Sequence, residues 1–547
     1  MKMRIKQIFV LIIISITFYT NQVIAQVVFE NPDHEINNFL NRQAQKGNII
    51  LNDYILPLSR KEIAKYLSEL DLITLTPIEK KELDFYHKEF SDFDENSPSE
   101  ISIIKKDNAN RFRFLTAKDD DFTLRFDPIY TLETTQSPSQ NVLKQSHGVS
   151  LYGFFDKRFS FQASFRDITE YGTGIDSLKN FTPQTGIVRT SNLNPNAKQL
   201  NYSDIRGYIS YSWRNGNISI GKDQNLWGYG ENGRMVLSDK APSYPFIRLD
   251  HQPFKWLKFH YSHAWLQSGI IDSAVIYPKG NDIYGENRDF YVPKFLVTHS
   301  LNFLPLKGLV LSLGESMMYS DRLDAAYFIP ILFFKAYDQY KGRNNINAGS
   351  NGQFFFQTSS RNNLKNTHLY ATLFIDEIRT STIFNKEKSR NQLGYNIGGN
   401  ITDVGVNYLT IGAEYTRINP FVYNNLIPAQ TYQNQQSNLG DWMGSNADRF
   451  ITYLKYTPLP RLKTSINYQY TRKGDEGTLE QQYYAEPQPA FLFNLQRTQS
   501  ILSLSASYEW INGLYLNASF SNTNNVSIAI PSQNRFNQFQ FSINYGL

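Results

Sequence analysis

The chain has 547 residues and no cysteine. A disulfide framework, a thiol nucleophile and a cysteine-held metal are therefore excluded. Long apolar runs are missing too. Beyond the N-terminus no segment offers 18 consecutive apolar residues, so no transmembrane helix is expected. Catalytic patterns are equally scarce. No HExxH occurs among the eight histidines, and no glycine-rich phosphate loop is present. His260 and His263 stand three apart in an extended run, so they face opposite ways and cannot hold one metal together. Ser316, in LGESMM, lacks the glycines of a nucleophile elbow. Asp376 and Glu377, adjacent on a strand pattern, also diverge. The expectation is a non-enzyme with no cofactor, no metal and no nucleic-acid partner.

What is present begins with an export signal. Lys2, Arg4 and Lys6 precede the apolar stretch Ile8 to Phe18, and Val23-Ile24-Ala25 reads as a cleavage site before Gln26. Residues 1–25 are thus expected to be a signal peptide, and without a following Cys the product is not a lipoprotein. The formal net charge of +5 is unevenly spread. Residues 26–100 hold fifteen Asp/Glu against eight Lys/Arg, a net of −7, whereas residues 101–547 carry +9. An acidic head precedes a basic body. The basic body suits an acidic polysaccharide, and lipopolysaccharide phosphates would explain it equally.

Residues 31–95 carry helical signals. Asn31-Pro32 reads as an N-cap with Pro at the first helical position, and Gly47 as a stop. Ser59 with Glu62 and Thr76 with Glu79 form two capping boxes. Ile63, Tyr66 and Leu67, then Leu83, Tyr86 and Phe90, follow at helical spacing. Three short amphipathic helices need a larger body to bury their stripes. A helical domain over 26–100 is expected, with the polar run Asp92 to Asn110 as a linker.

From about Phe112 the period falls to two. Phe159, Phe161, Ala163 and Phe165 alternate with Ser160, Gln162, Ser164 and Arg166. Leu502 to Trp510 and Leu514 to Phe520 alternate likewise around Asn512-Gly513, a hairpin signal. In the last strand Phe539, Phe541, Ile543, Tyr545 and Leu547 share one face. The chain holds 35 Tyr and 39 Phe, many placed at strand ends. Short turns on one side and long loops on the other (167–201, 321–366, 471–498) complete the pattern of an outer-membrane barrel. At roughly 20–27 residues per strand with its share of loop, residues 110–547 supply about 16–22 strands. The alternative, a soluble β-protein, fits the long strands and terminal aromatics less well.

The lumen face reads as Gln, Asn, Ser, Thr and Tyr. Such groups suit sugars, by hydrogen bonds and by stacking on C–H faces, although a polar interior is also the ordinary state of a barrel. Loop 226–246, LWGYGENGRMVLSDKAPSYPF, is the most distinctive segment. Its Trp227, Tyr229, Arg234 and Lys240 are the candidate polysaccharide contacts. If Asn215-Gly216 is a periplasmic turn, strand 217–223 runs outward and 224–254 lies at the extracellular mouth. The next connection, 266–293, would then fall on the periplasmic side. Either a further strand lies near Phe246–Leu249, or the loop folds into the lumen.

GKDQNLWGYGENGRMVLSDKAPSYPFIRL (221–249) resembles the signature region of the Wzi capsule-assembly family. FLNRQAQKGNIILNDYILPLSRKEIAKYLSEL (39–70) and LSLGESMMYSDRLDAAYFIPILFFK (311–335) resemble two further family stretches in the same order. The resemblance implies an antiparallel outer-membrane barrel of about 18 strands, closed on the periplasmic side by the helical domain. It implies a non-enzymatic lectin that holds capsular polysaccharide at the cell surface. The partners expected are that polysaccharide, or another surface glycan, and outer-membrane lipid with lipopolysaccharide; the chain is expected to be a monomer. The alternative is an outer-membrane channel for small solutes or lipids.

Overall fold

The computed structural model describes residues 27–546 except 94–98, 120, 157, 189–197, 279–286, 289, 343–348, 379, 383, 386 and 529–530. The signal-peptide reading and Leu547 lie outside the described residues. Within them a closed antiparallel barrel of 18 strands follows a small helical head. The strands are β1 (Phe122–Gln136), β2 (Asn141–Phe155), β3 (Phe159–Gly172), β4 (Gln199–Trp213), β5 (Gly216–Asp223) and β6 (Tyr244–Phe254). They continue as β7 (Leu257–Ile271), β8 (Tyr291–Leu306), β9 (Leu309–Ser320), β10 (Asn351–Arg361), β11 (Thr367–Ile378) and β12 (Asn391–Thr402). The last six are β13 (Thr410–Ile418), β14 (Ala447–Leu459), β15 (Leu462–Lys473), β16 (Arg497–Ile511), β17 (Leu514–Ser527) and β18 (Ser532–Tyr545). Each pairs with its neighbours in sequence, and β18 returns to β1.

Closure follows from the medium, since an open edge in hydrocarbon would leave backbone groups unpaired. The alternation read from the sequence is the one built. Leu502, Leu504, Phe539 and Phe541 are exposed on the outer wall, while Ser160 and Ser542 are buried inside. Aromatic girdles mark the two interfaces. Near the short turns Phe254 stacks on Trp256, 5.4 Å between rings, and Phe155 on Phe159, 5.0 Å. At the opposite rim Tyr395 and Tyr415 lie beside the Arg472–Asp448 ion pair. A barrel with this belt spans the outer membrane.

The closing seam is unusual. β18 pairs only with Tyr130–Gln136 of β1. The lower half of that edge is taken by a hairpin, Glu100–Lys106 with Phe112–Lys118, whose second strand pairs with Thr123–Phe126. Part of the expected linker is therefore sheet: its Ile101 and Ile103 face outward and are exposed.

The head contains α1 (Ile36–Gln45), α2 (Arg60–Ser68) and α3 (Pro77–Glu89). Both capping boxes are formed. α1 starts four residues later than Asn31-Pro32 suggests, because Asn31 and Pro32 lie in a turn and Glu35 is the N-cap. The three stripes, including Phe39, Leu67, Leu83 and Tyr86, merge in one core with Leu226 of the barrel.

The head is held to the barrel by charge. Glu89 pairs with Arg111 at 3.0 Å, Asp92 with Arg125 at 2.7 Å and Glu62 with Lys258 at 3.2 Å. Glu82 meets Lys463 at 2.7 Å, and Asp53 meets Arg361 at 2.8 Å. The acidic head and basic body thus answer one another, so the charge asymmetry is in large part internal and does not by itself call for an acidic ligand.

Candidate functional site

The segment 224–243 connects β5 to β6 from the extracellular side and turns down into the lumen. Both ways out of the topology problem are realised. Phe246–Leu249 lie within β6, and the loop is internal. The 266–293 segment, expected on the periplasmic side, ends β7 and connects it to β8 at the extracellular end.

This plug is tied at three levels. Below, Leu226–Trp227 pairs with Ile55–Leu56 of the head, and Gly228 N–H donates to the Tyr54 carbonyl at 2.9 Å. At mid-height, Glu231 N–H donates to Glu414 at 2.7 Å and Asn232 to Gln469 at 2.7 Å. Above, extracellular segment 419–446 closes over it. Tyr423 and Tyr432 hydroxyls donate to the Met235 and Val236 carbonyls at 2.7 and 2.9 Å, and the Trp442 indole donates to the Asn232 carbonyl at 2.7 Å. The turn at Gly233 has φ +138°, and an added Cβ would lie 2.5 Å from Asp441 Oδ2. Glycine is required there by both backbone and space. Behind it Arg449 holds Asp441 at 3.0 Å and Glu414 at 3.5 Å. Burial pushes the Asp441 carboxyl above its usual range, with Arg449 opposing.

The four sequence candidates share this plug but have different surroundings. Trp227 is 2% exposed and packs edge-on against Phe355. Lys240 is 4% exposed, its ammonium donating to the carbonyls of Gln184 at 2.9 Å and Asn180 at 3.3 Å. Both side chains are committed to holding the plug in place, and Lys240 also holds residues 180–184 of the β3–β4 connection. Tyr229 donates to Asp53 at 2.5 Å, and burial holds its phenol well above its ordinary range. Arg234 donates to the Gly228 carbonyl at 2.8 Å. Tyr229 and Arg234 line a cavity of about 430 Å³ beside the head, with Tyr453 and Lys455 opposite. A second cavity, about 470 Å³, lies on the other side of the plug against Arg166, Asp204 and Arg206.

The extracellular face above the plug carries groups that the sequence reading did not single out. Phe181 packs edge-on against Trp442 at 5.0 Å, with Arg497 4.9 Å over its ring. Beside them Phe421 meets Phe493, and Arg417 lies 3.7 Å over Phe491. Phe181, Phe491 and Phe493 are half-buried and Arg497 is exposed. The aromatic run PAFLFNLQR, 489–497, was the available signal, but only the fold brings it to Phe181 and Phe421.

The model of the capsule assembly protein Wzi family matches residues 107–535. The chain belongs to this family. Its fold is similar to that of Wzi from Escherichia coli, an outer-membrane protein involved in group 1 capsule assembly and a carbohydrate-binding β-barrel. The two are 15% identical, the match covers 96% of this chain and 100% of that one, and the TM-score is 0.58. OccD3 of Pseudomonas aeruginosa and OccAB4 of Acinetobacter baumannii are each 11% identical over 78% of this chain, covering 90% and 97% of theirs, with TM-scores of 0.43 and 0.42. No curated protein matches in sequence. Membership of the family gives the signature loop a physical meaning in this chain: LWGYGENGRMVLSDKAP is the plug that joins head, wall and mouth.

Proposed function

We propose that this chain is a non-enzymatic, lectin-like outer-membrane protein that binds surface polysaccharide and helps assemble or retain it at the cell surface. The observation that carries the reading is the extracellular aromatic and arginine surface over a plugged lumen. Phe181 and Phe491 offer ring faces for sugar C–H groups, and Arg497 offers hydrogen-bond donors. Each contact is weak, and a repeating polymer supplies the avidity. Family membership and the carbohydrate binding of Escherichia coli Wzi support the same conclusion. Within this reading Tyr229 and Arg234 are contacts for a glycan segment in the cavity beside the head, whereas Trp227 and Lys240 act by holding the plug in place.

The test is binding of purified cell-surface polysaccharide to the detergent-solubilised protein, with deletion of the gene in the producing strain beside it. Binding and loss of cell-associated glycan into the medium are expected. Unchanged retention together with no binding would sink the proposal.

A further inference from the structure

A described part of the connection between β9 and β10 does not join the other loops over the mouth. Its segment Asp321–Gly342, including α4 (Phe334–Gly342), lies against the outside of the barrel. The residues it covers belong to the outer face, since Ser316 and Met318 of β9 point into the lumen. Tyr261 donates to the Tyr327 carbonyl at 2.8 Å, and His299 Nδ1 meets the Pro330 carbonyl at 2.9 Å. His299 also stacks on Phe334, 4.4 Å between rings.

Glu315 explains the arrangement. It stands on the lipid side of β9, six residues from Leu309 at the periplasmic turn. At roughly 2.5 Å of depth per residue of tilted strand, that places it about 15 Å into a belt about 25 Å tall. A bare carboxylate there would be costly. Here it accepts the first N–H groups of α4, from Phe334 at 3.0 Å and from Lys335. The helix N-terminus satisfies the carboxylate, and the carboxylate fixes the helix at that depth.

The side of this flap that faces away from the barrel is apolar. Ile329, Ile331 and Phe333 are 50, 82 and 56% exposed, and they continue the exposed outer-wall belt at Leu313 and Phe356. We propose that Ile329–Phe333 is a membrane-inserted wedge, seated in the acyl chains of the outer leaflet and held there by Glu315. The partner is lipid, because the apolar face lies at bilayer depth and is continuous with the lipid-facing wall.

The absence of cysteine makes the test direct, since a single introduced thiol is the sole labelling site. Ile331→Cys, carrying an environment-sensitive fluorophore, is reconstituted in phosphatidylcholine vesicles brominated at mid-chain. Leu504→Cys in the belt and Gln436→Cys on an extracellular loop serve as references. Expected is quenching by the brominated lipid close to that at 504, and at most about one third of the iodide quenching seen at 436. Adding Glu315→Ala should release the flap and raise iodide quenching at 331 toward the 436 level. Iodide quenching at 331 equal to that at 436 in the parent would overturn the proposal. So would shielding from both quenchers with self-association, which would make the face a contact between copies. Insertion unchanged by Glu315→Ala would remove the carboxylate's anchoring role.

Discussion

The indole of Trp442, on an extracellular segment, donates 2.7 Å to the carbonyl of Asn232, on the plug. Through such bonds the mouth rests on the plug. Replacing residues 228–241 by a short Gly-Ser linker should therefore open the lumen and disorder the mouth together. In planar bilayers the parent protein is expected to show low conductance, and the replaced form a higher one limited by the head. A large conductance from the parent would favour the channel reading over the binding one.

Gly233→Val places a side chain where Asp441 and Arg449 already sit, at φ +138°. Overpacking and backbone strain should together cost about 2–5 kcal/mol. Arg449→Ala should cost about 3–5 kcal/mol, because the carboxylates of Asp441 and Glu414 are left buried without a cation. Both changes are read from the temperature at which the barrel loses its compact mobility in detergent gels.

Phe181→Ala and Arg497→Ala should each weaken polysaccharide binding by about 1 kcal/mol, or about five-fold in Kd. Tyr484→Ala, at a residue 77% exposed on the same side, should leave binding unchanged. Titration with purified polysaccharide separates the three. Lys240→Met should instead raise protease cleavage within 178–188, since its ammonium holds the Asn180 and Gln184 carbonyls.

The head should come loose in acid. Burial opposes ionisation of Glu89, but Arg111, Arg60 and Arg113 outweigh it and hold the carboxyl down to about 2 from an ordinary 4.5. Asp92, beside Arg125, is likewise held well below the usual carboxylate range. A depressed carboxylate stabilises fully above its unfolded value, and the stabilisation is lost as pH falls through the folded one. Head protection from proteolysis should be level from pH 7 to 5 and decline between about pH 4.5 and 2. Glu89→Gln should loosen the head already at pH 7, by about 1.5–3 kcal/mol, because three guanidinium groups lose one shared buried carboxylate while keeping Glu30, Asp107 and Asp127.

Local chemistry was the legible part of this chain. The boxes at Ser59 and Thr76 involve residues three apart, and β16–β18 have outer faces whose apolar period survives because only lipid touches them. β6 was hidden because Arg248, Asp250 and two prolines interrupt its pattern, although Ile247 and Leu249 keep the outer face apolar. β10 was hidden because Phe355 packs inward on the plug core beside two outward phenylalanines. The plug has no period at all, and its aromatics and lysine suggested sugar contacts. Only the fold shows Trp227 and Lys240 enclosed. Net charge counts ions without saying where they go, so the head–barrel pairing could not be read from it.

All fifteen residues of β1 are paired with β2, but fewer than half of them with β18. The barrel therefore has one short-zippered joint, and its lower half is filled by a hairpin that follows the head in sequence. Glu89 and Asp92 of the head grip Arg111 and Arg125 beside that joint, so the head is riveted to the very place where the wall closes on itself.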